Sequence, residues 1–407
     1  MDSTVSSGCT VSVSQRYLEK TTAITGVGLS EVARPSLKSP LCLTIDACVA
    51  AIEDAGLTRD DIDGVTTWPG LMDSSPGMSE VSIQEVKEAL RLRLNWYMGG
   101  AEAPQHGSIM SAVAAVAAGF ANHVLVFRTV TEAQAQTPER RASVIGVTGS
   151  RLTSWFSWLG PVNAVSASIW VAQYAQRHFE QFGTTSEQLA QIALIGRRNA
   201  QLNPQAVMRT PLTMEDYLAS RFIATPLRLF DCDVPVDGST AIIVSRLDAA
   251  RNLRNPPLRV EALGCALHGR FSWEQIPDLY ETAAFDAARM MWNRTDLKPG
   301  DVAVAQLYDG FSFLCLSWLE ALGFCPRGEG GRFIEGGTRI ARDGELPLNT
   351  NGGQLSQGRL HGYGQIFEAA EQLWGRAGER QVANNPRVAL CSAGGGPVGS
   401  CFLLVRE

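Results

Sequence analysis

The sequence predicts a layered α/β fold. Short apolar runs alternate with helically spaced apolar residues from Thr22 to Thr129. A similar order of helix and strand returns from Leu258 onward. Glycine-rich turns punctuate the joins.

In chain order, Thr22 to Val27 reads as a strand, Leu43 to Ala55 as a helix ending near Gly56, and Ile62 to Thr67 as a second strand. After the Gly/Ser/Pro-rich loop from Gly70 to Gly77, helical spacing runs from Val81 to Leu92. Asn95 to Met98 is a short strand leading into Gly99-Gly100. A helix covers Ser108 to Phe120, and Val124 to Thr129 is a buried strand. The span Val130 to Asp237 breaks the rhythm. It carries Trp155, Trp158 and Trp170, with helices at Ala164 to Phe182 and Glu187 to Ala200, and reads as a long excursion whose loops can cover a site. Strand spacing resumes at Ser239 to Ser245.

The second half opens with a strand from Leu258 to Leu263. A helix (Tyr280 to Trp292), a strand (Val302 to Tyr308) and a helix (Phe311 to Leu322) closed by Gly323 follow. A later helix ends at Trp374. Strands Val388 to Ser392 and Ser400 to Val405 are split by Gly394-Gly395-Gly396-Pro397. The recurrence predicts an internal duplication, with halves at 1–250 and 251–407, although residue-level self-similarity is weak.

Composition narrows the function. With 407 residues the chain can bury a sizeable core. Its 45% hydrophobic and 19% charged content is ordinary for a soluble α/β enzyme. A net charge of −6 and the lack of a basic run argue against nucleic acid. The nine cysteines form no CxxC pair, which favours a reducing compartment over disulfides or zinc, and no other metal set is visible. Met1 to Lys20 is Ser/Thr-rich without an apolar core, so it does not read as a signal peptide. The small-apolar run Ile109 to Ala121 is too short for a bilayer. The expectation is a cytoplasmic enzyme.

The most informative stretch is Leu348 to Tyr363. Gly352, Gly353 and Gly358 lie in an amide-rich segment, and Arg359, His361 and Tyr363 follow at alternate positions. Such a segment suits a bend where backbone approaches a ligand and a helix begins.

Several motifs then combine. They are Leu307-Tyr308-Asp309-Gly310-Phe311-Ser312, Leu319 to Cys325, Gly328-Glu329 and Leu346 to Leu355. Pro226 to Cys232, Asp237-Gly238, Gln372 to Gly375 and the Gly394 to Gly396 turn join them. Taken together they resemble the thiolase superfamily, and more narrowly the thiolase-like lipid-transfer proteins that act as steroid side-chain aldolases in bacteria. The resemblance implies a duplicated β-α-β-α-β-α-β-β fold in five layers, αβαβα, assembled as a homodimer. It also implies retro-aldol cleavage of a β-hydroxyacyl-CoA into a ketone and a shorter acyl-CoA. Coenzyme A then enters as part of the substrate, with no covalently bound cofactor. A small acyl-CoA-binding partner with an OB fold and a zinc ribbon is a further implication.

Residue by residue, thiolases need a cysteine nucleophile at the turn that here reads Gly99 to Ser108, and no cysteine stands there. Glu102 and His106 either cap the following helix or face the site. Tyr308 matches the branch's Tyr-Asp position. Its phenol either moves protons or simply packs at a strand end. Arg359 stands where some members carry tyrosine and thiolases place a histidine. Being always protonated, it cannot be a base; it either stabilises an oxyanion or forms an ordinary salt bridge. Tyr363 either replaces the missing tyrosine or packs under the bend. His361 either reaches a thioester oxygen or is a satisfied core histidine. Asn351, Gly352, Gly353, Gly395, Gly396 and His106 are the candidate substrate-binding residues. Cys391 stands near a thiolase cysteine but out of register. A lyase, a thiolase-like acyltransferase and a non-catalytic acyl-CoA-binding subunit are the competing functions.

Overall fold

Alternation along the strands decides the layers. The strands are β1 (Thr22–Leu29), β2 (Gly64–Thr67), β3 (Trp96–Gly99), β4 (His123–Thr131), β5 (Phe222–Ala224), β6 (Leu227–Arg228), β7 (Asp237–Arg246), β8 (Leu258–Leu267), β9 (Val304–Gln306), β10 (Val388–Gly394) and β11 (Val398–Arg406). Leu125 and Phe127 of β4 and Ala241 and Ile243 of β7 join one core. Their neighbours Val124, Val126, Ile242 and Val244 join another. These strands are therefore buried on both faces, which their nearly unbroken apolar runs anticipate.

A computed structural model of the chain describes residues 17–71, 76–100, 103–135, 156–270, 272–276 and 278–407. Glu102 and Trp155, both singled out in the sequence, lie outside them. Among the described residues, nine strands form one mixed sheet in the order β3-β2-β4-β7-β1-β8-β11-β10-β9, and β5 and β6 form a separate hairpin. Pairing is parallel for β2 with β3, β2 with β4 and β9 with β10, and antiparallel elsewhere.

The principal helices are α1 (Pro40–Ala55), α2 (Ile83–Leu90), α3 (Gly107–Ala117), α4 (Ala167–Phe182), α5 (Ser186–Gln201), α6 (Ala283–Trp292), α7 (Ser312–Ala321), α8 (Gly353–Ser356) and α9 (Tyr363–Leu373). α1 shows why such segments start and stop where they do. Ser39 caps it by accepting from the Cys42 N–H at 3.2 Å, proline opens it, and Gly56 ends it at φ 73°.

α3 and α9 share one core with inward residues from β4 and β7 and from β9, β10 and β11. They form a middle layer that the sheet wraps. α1 and α2 cover one outer face, and α4 to α7 cover the other. The mixed α/β architecture is thus the one expected. One element differs: the run read as a strand from Val302 to Tyr308 pairs only over Val304–Gln306, so Tyr308 lies beyond the strand end.

The excursion packs on the second half rather than beside its sequence neighbours. Apolar residues of α4 and α5, such as Val171 and Ile192, share a core with Ala287, Leu316 and Leu390. A fully enclosed network fastens α4 to α7. His178 Nε2 lies 3.0 Å from Glu320, whose carboxylate also accepts the Gly328 and Gly330 N–H groups and bonds the Tyr280 hydroxyl. Thr184 completes a Thr–His–Glu chain. All three residues are buried, so this chain reads as a fastening.

α5 also carries the glycine bend. Asn199 Nδ2 donates to the carbonyls of Leu348 (2.9 Å) and Asn349 (3.2 Å), and Asn203 Nδ2 donates to that of Asn351 at 2.9 Å. Arg197 Nε donates to Ser356 Oγ at 3.0 Å. Removing the Asn199 amide strands the buried Leu348 carbonyl, while the Asn349 carbonyl keeps the Gly352 N–H. Asn199→Ala is expected to cost about 2 kcal/mol, read as a lower urea midpoint at unchanged secondary-structure content.

Candidate active site

The site begins where β9 stops pairing. Asn349 continues the edge with its side chain: Oδ1 accepts from the Leu307 N–H at 2.8 Å and Nδ2 donates to the Leu307 carbonyl at 2.9 Å. The Tyr308 N–H then donates to Ser392 Oγ at 3.0 Å. Both neighbours of the tyrosine backbone are thereby fixed. Opposite it, the chain turns through Gly352 (φ 104°) and Gly353 (φ 60°). A side chain on Gly353 would collide with the Asp309 carboxylate. Asp309 Oδ1 accepts from the Gln354 N–H (2.9 Å) and from Gln365 Nε2 (3.0 Å). Burial nevertheless pushes its carboxyl up to about 7.

Two tyrosines meet at Gln105, just before α3. Gln105 Nε2 donates to the Tyr308 hydroxyl oxygen at 2.9 Å. The Gln105 backbone carbonyl accepts the Tyr363 hydroxyl at 2.8 Å. Tyr363 also bonds Ser108 Oγ. A phenol has one proton, and a carbonyl only accepts. Tyr363 therefore gives its proton to Gln105 and receives one from Ser108. Burial pushes Tyr363 up to about 12. Tyr308 is also raised, by burial foremost and then by Asp233, against the pull of Gln105 and Arg359. Both phenols are protonated at neutral pH.

Arg359 turns to Glu132 and Asp233. The helix starts only at Tyr363, so Arg359 and Tyr363 do not share a helical face. The guanidinium binds Glu132 through Nε and Nη2, both at 2.7 Å, and Asp233 through Nη1 at 3.3 Å. Burial opposes its charge, but Asp233 and Glu132 outweigh it and raise the group. With one guanidinium shared by two carboxylates, the closer Glu132 is the counterion. Asp233, foremost through burial, is pushed up to about 7.

His361 sits at φ 51°, a left-handed conformation costing roughly 1–3 kcal/mol in a non-glycine residue. Its Nδ1 lies 2.6 Å from Arg128 Nη2. Burial first, then Arg128 and Arg359, hold the ring far below the usual imidazole range. It is neutral, Nδ1 accepts, and Nε2 carries the remaining proton. Arg128 is itself buried, with its guanidinium 5.2 Å from the Trp68 ring centroid, and burial lowers it to about 10. It also donates to the Met78 and Thr129 carbonyls.

His106 occupies the N-cap position of α3 without capping it. Its ring packs edge-on to Phe402 and Tyr363, and burial pushes it down to about 3. Neither ring nitrogen makes a hydrogen bond of good geometry, although Nε2 lies beside Gly362. Gln354 reaches the Tyr308 phenol and favours its anion but makes no side-chain hydrogen bond of good geometry, and Gln105 Oε1 has no partner. Buried unpaired polar atoms therefore gather around Tyr308, where a polar ligand would satisfy them.

Other predicted residues serve the bend. Asn351 spends its side chain on Gln357, the Gly364 carbonyl and the Gly353 N–H. The Gly352 N–H donates to the Asn349 carbonyl. The Gly395 N–H closes the hairpin onto Val398, and the Gly396 carbonyl accepts from Ala283. Cys391 points into the middle layer, and burial raises its thiol. Sequence reasoning missed Gln105, Glu132, Asp233 and Gln354. It also missed Arg128, although an arginine inside the run Val124-Leu125-Val126-Phe127 to Val130 is a legible signal.

Residues 266–406 match the family model described as thiolase C-terminal domain-like. The chain is 32% identical to a steroid side-chain-cleaving aldolase of Thermomonospora curvata, covering 94% of this chain and 97% of that one. It is also 32% identical to a 17-hydroxy-3-oxo-4-pregnene-20-carboxyl-CoA lyase of Mycobacterium tuberculosis, covering 94% and 98%. A solved structure described as a Ltp2-ChsH2(DUF35) aldolase superposes with a TM-score of 0.84 at 30% identity, covering 96% of this chain and 98% of that one.

Asp309 gives a test of the electrostatics. It holds its proton more tightly in the folded chain than in the unfolded one. Stability therefore falls as pH rises from about 4 to about 7, because the folded state binds the extra proton in that window. Asp309→Asn keeps an acceptor for the Gln354 N–H and should flatten that part of the wild-type slope in urea midpoints measured against pH.

Proposed function

The chain belongs to the thiolase superfamily, with steroid side-chain-cleaving aldolases among its full-length relatives, and we propose that it is a carbon–carbon lyase. Its substrate in this reading is a β-hydroxyacyl-CoA with a bulky, steroid-like or aryl side chain. The products are a ketone and a shorter acyl-CoA. The observation that carries the reading is a buried, protonated Tyr308 whose own proton is not claimed by Gln105, set among unpaired buried amides. The turn before α3 also lacks the cysteine that acyl transfer would need.

In the proposed reaction the bond between the α- and β-carbons breaks and its electron pair passes into the thioester enolate. The β-hydroxyl proton leaves to Asp233, whose raised carboxyl suits a base at neutral pH. The β-carbon becomes the ketone. Tyr308 gives its proton to the α-carbon and regains one from Asp233. Neutral His361 offers its Nε2–H to the enolate oxygen, and the cations Arg128 and Arg359 favour that negative charge.

The proposal extends to partners. β3 is the last strand of the sheet, and its Tyr97 and Met98 are 71% and 48% exposed. An apolar unpaired edge of this kind supports a homodimer. The related aldolase is described together with a DUF35 protein, and the sequence resemblance implied a small OB-fold, zinc-ribbon acyl-CoA binder. A partner of that kind is part of this reading. No helix among the described residues is long and apolar enough to cross a membrane. The cysteines of the described residues are unpaired, which suits the cytoplasm.

Mass spectrometry of a β-hydroxyacyl-CoA incubated with the protein and a DUF35-type partner is the test. Ketone release is expected, falling about 10²- to 10⁴-fold in Tyr308→Phe with acyl-CoA binding retained. No ketone from the wild type, or an acylated protein, would contradict the lyase.

A further inference from the structure

We propose that Gln105 is the positioning residue of the Tyr308 phenol, fixing the direction in which that proton can leave. The inference rests on the lyase reading for its kinetic consequences, but not for the hydrogen bond itself.

The geometry of one residue carries it. The side-chain amide N–H can only donate, so at 2.9 Å the Tyr308 oxygen accepts and its proton points elsewhere. The backbone carbonyl can only accept, so at 2.8 Å it takes the Tyr363 proton. Ser108 then supplies the second bond to Tyr363. A single residue thus commits one phenol and leaves the other uncommitted. The turn is itself anchored: the Trp68 indole donates to the Ala103 carbonyl at 3.0 Å, and the Gly107 N–H bonds the Pro104 carbonyl at 2.6 Å.

The bond also strengthens when it matters. Once Tyr308 has given up its proton, the oxygen is anionic and the same N–H becomes a charge-assisted donor. No reorganisation is needed, because the donor already points at the oxygen. Gln105 touches neither the breaking bond nor the enolate; it acts through Tyr308.

The test uses Gln105→Met, which removes the donor, and Gln105→Glu, which turns it into an acceptor. Both leave the backbone carbonyl for Tyr363. In the full-length protein with its partner, Gln105→Met should lower kcat about tenfold or more with KM within about twofold. Gln105→Glu should fall further, since a carboxylate would hold the phenol proton. Independently of turnover, a trifluorotyrosine in place of Tyr308 should titrate about one pH unit higher in Gln105→Met than with Gln105 present. An unchanged midpoint, or a loss confined to KM, would overturn the proposal. A wild type that releases no ketone would refute the lyase reading, while the titration would still decide the role of Gln105.

Discussion

Arg128 is a fully buried guanidinium group and Arg359 a half-buried one, both packed into an apolar, layered molecule. Removing each from water carries a penalty of several kcal/mol unless fixed partners replace the solvent. Arg359 takes two carboxylates: Glu132 lies just after β4, and Asp233 lies beyond the β5–β6 hairpin. Arg128 takes two backbone carbonyls, the neutral ring of His361 and the face of Trp68. These partners come from four distant parts of the chain. Satisfying these two charges, one buried and one half-buried, therefore draws β4, the end of the excursion and the glycine bend together around Tyr308. Losing either carboxylate of the first group would leave the half-buried Arg359 short of a partner, at a cost that its remaining contact with solvent softens.

The chemistry follows from the same requirement. Cations beside the bend make negative charge tolerable there, which suits an enolate. Burial first, and then these cations, hold His361 neutral, so it donates through Nε2 and does not add a third charge. The site thus contains one donor that can stabilise an oxyanion, one phenol with an uncommitted proton, and carboxyls raised near neutrality. The strained backbone at His361 is the conformational cost of presenting that ring beside Arg128.

The sequence revealed the layers because unbroken apolar runs and helical spacing report burial directly. Val124 to Phe127 and Leu43 to Ala55 are examples. It revealed the glycine bend because Gly352, Gly353 and Gly358 have few other uses in one segment. It did not reveal which way Arg359 points. That depends on Glu132 and Asp233, far away in sequence, and an acidic residue in a loop carries no mark of its partner. Gln105 was hidden for a similar reason: its importance lies in two hydrogen bonds to residues more than two hundred positions away. The excursion was recognised as a break in rhythm, but its packing on the second half follows from tertiary burial of α4 and α5, which local pattern does not encode.

The central claim is that Tyr308, rather than Tyr363, carries the reacting proton. Single-turnover ketone release by Tyr308→Phe and Tyr363→Phe, measured side by side with equal acyl-CoA occupancy, tests it most directly. The account predicts loss of the chemical step in Tyr308→Phe and a decrease of no more than about tenfold in Tyr363→Phe, which removes one neutral hydrogen bond. The reverse order, with Tyr308→Phe still cleaving and Tyr363→Phe inactive, would contradict it.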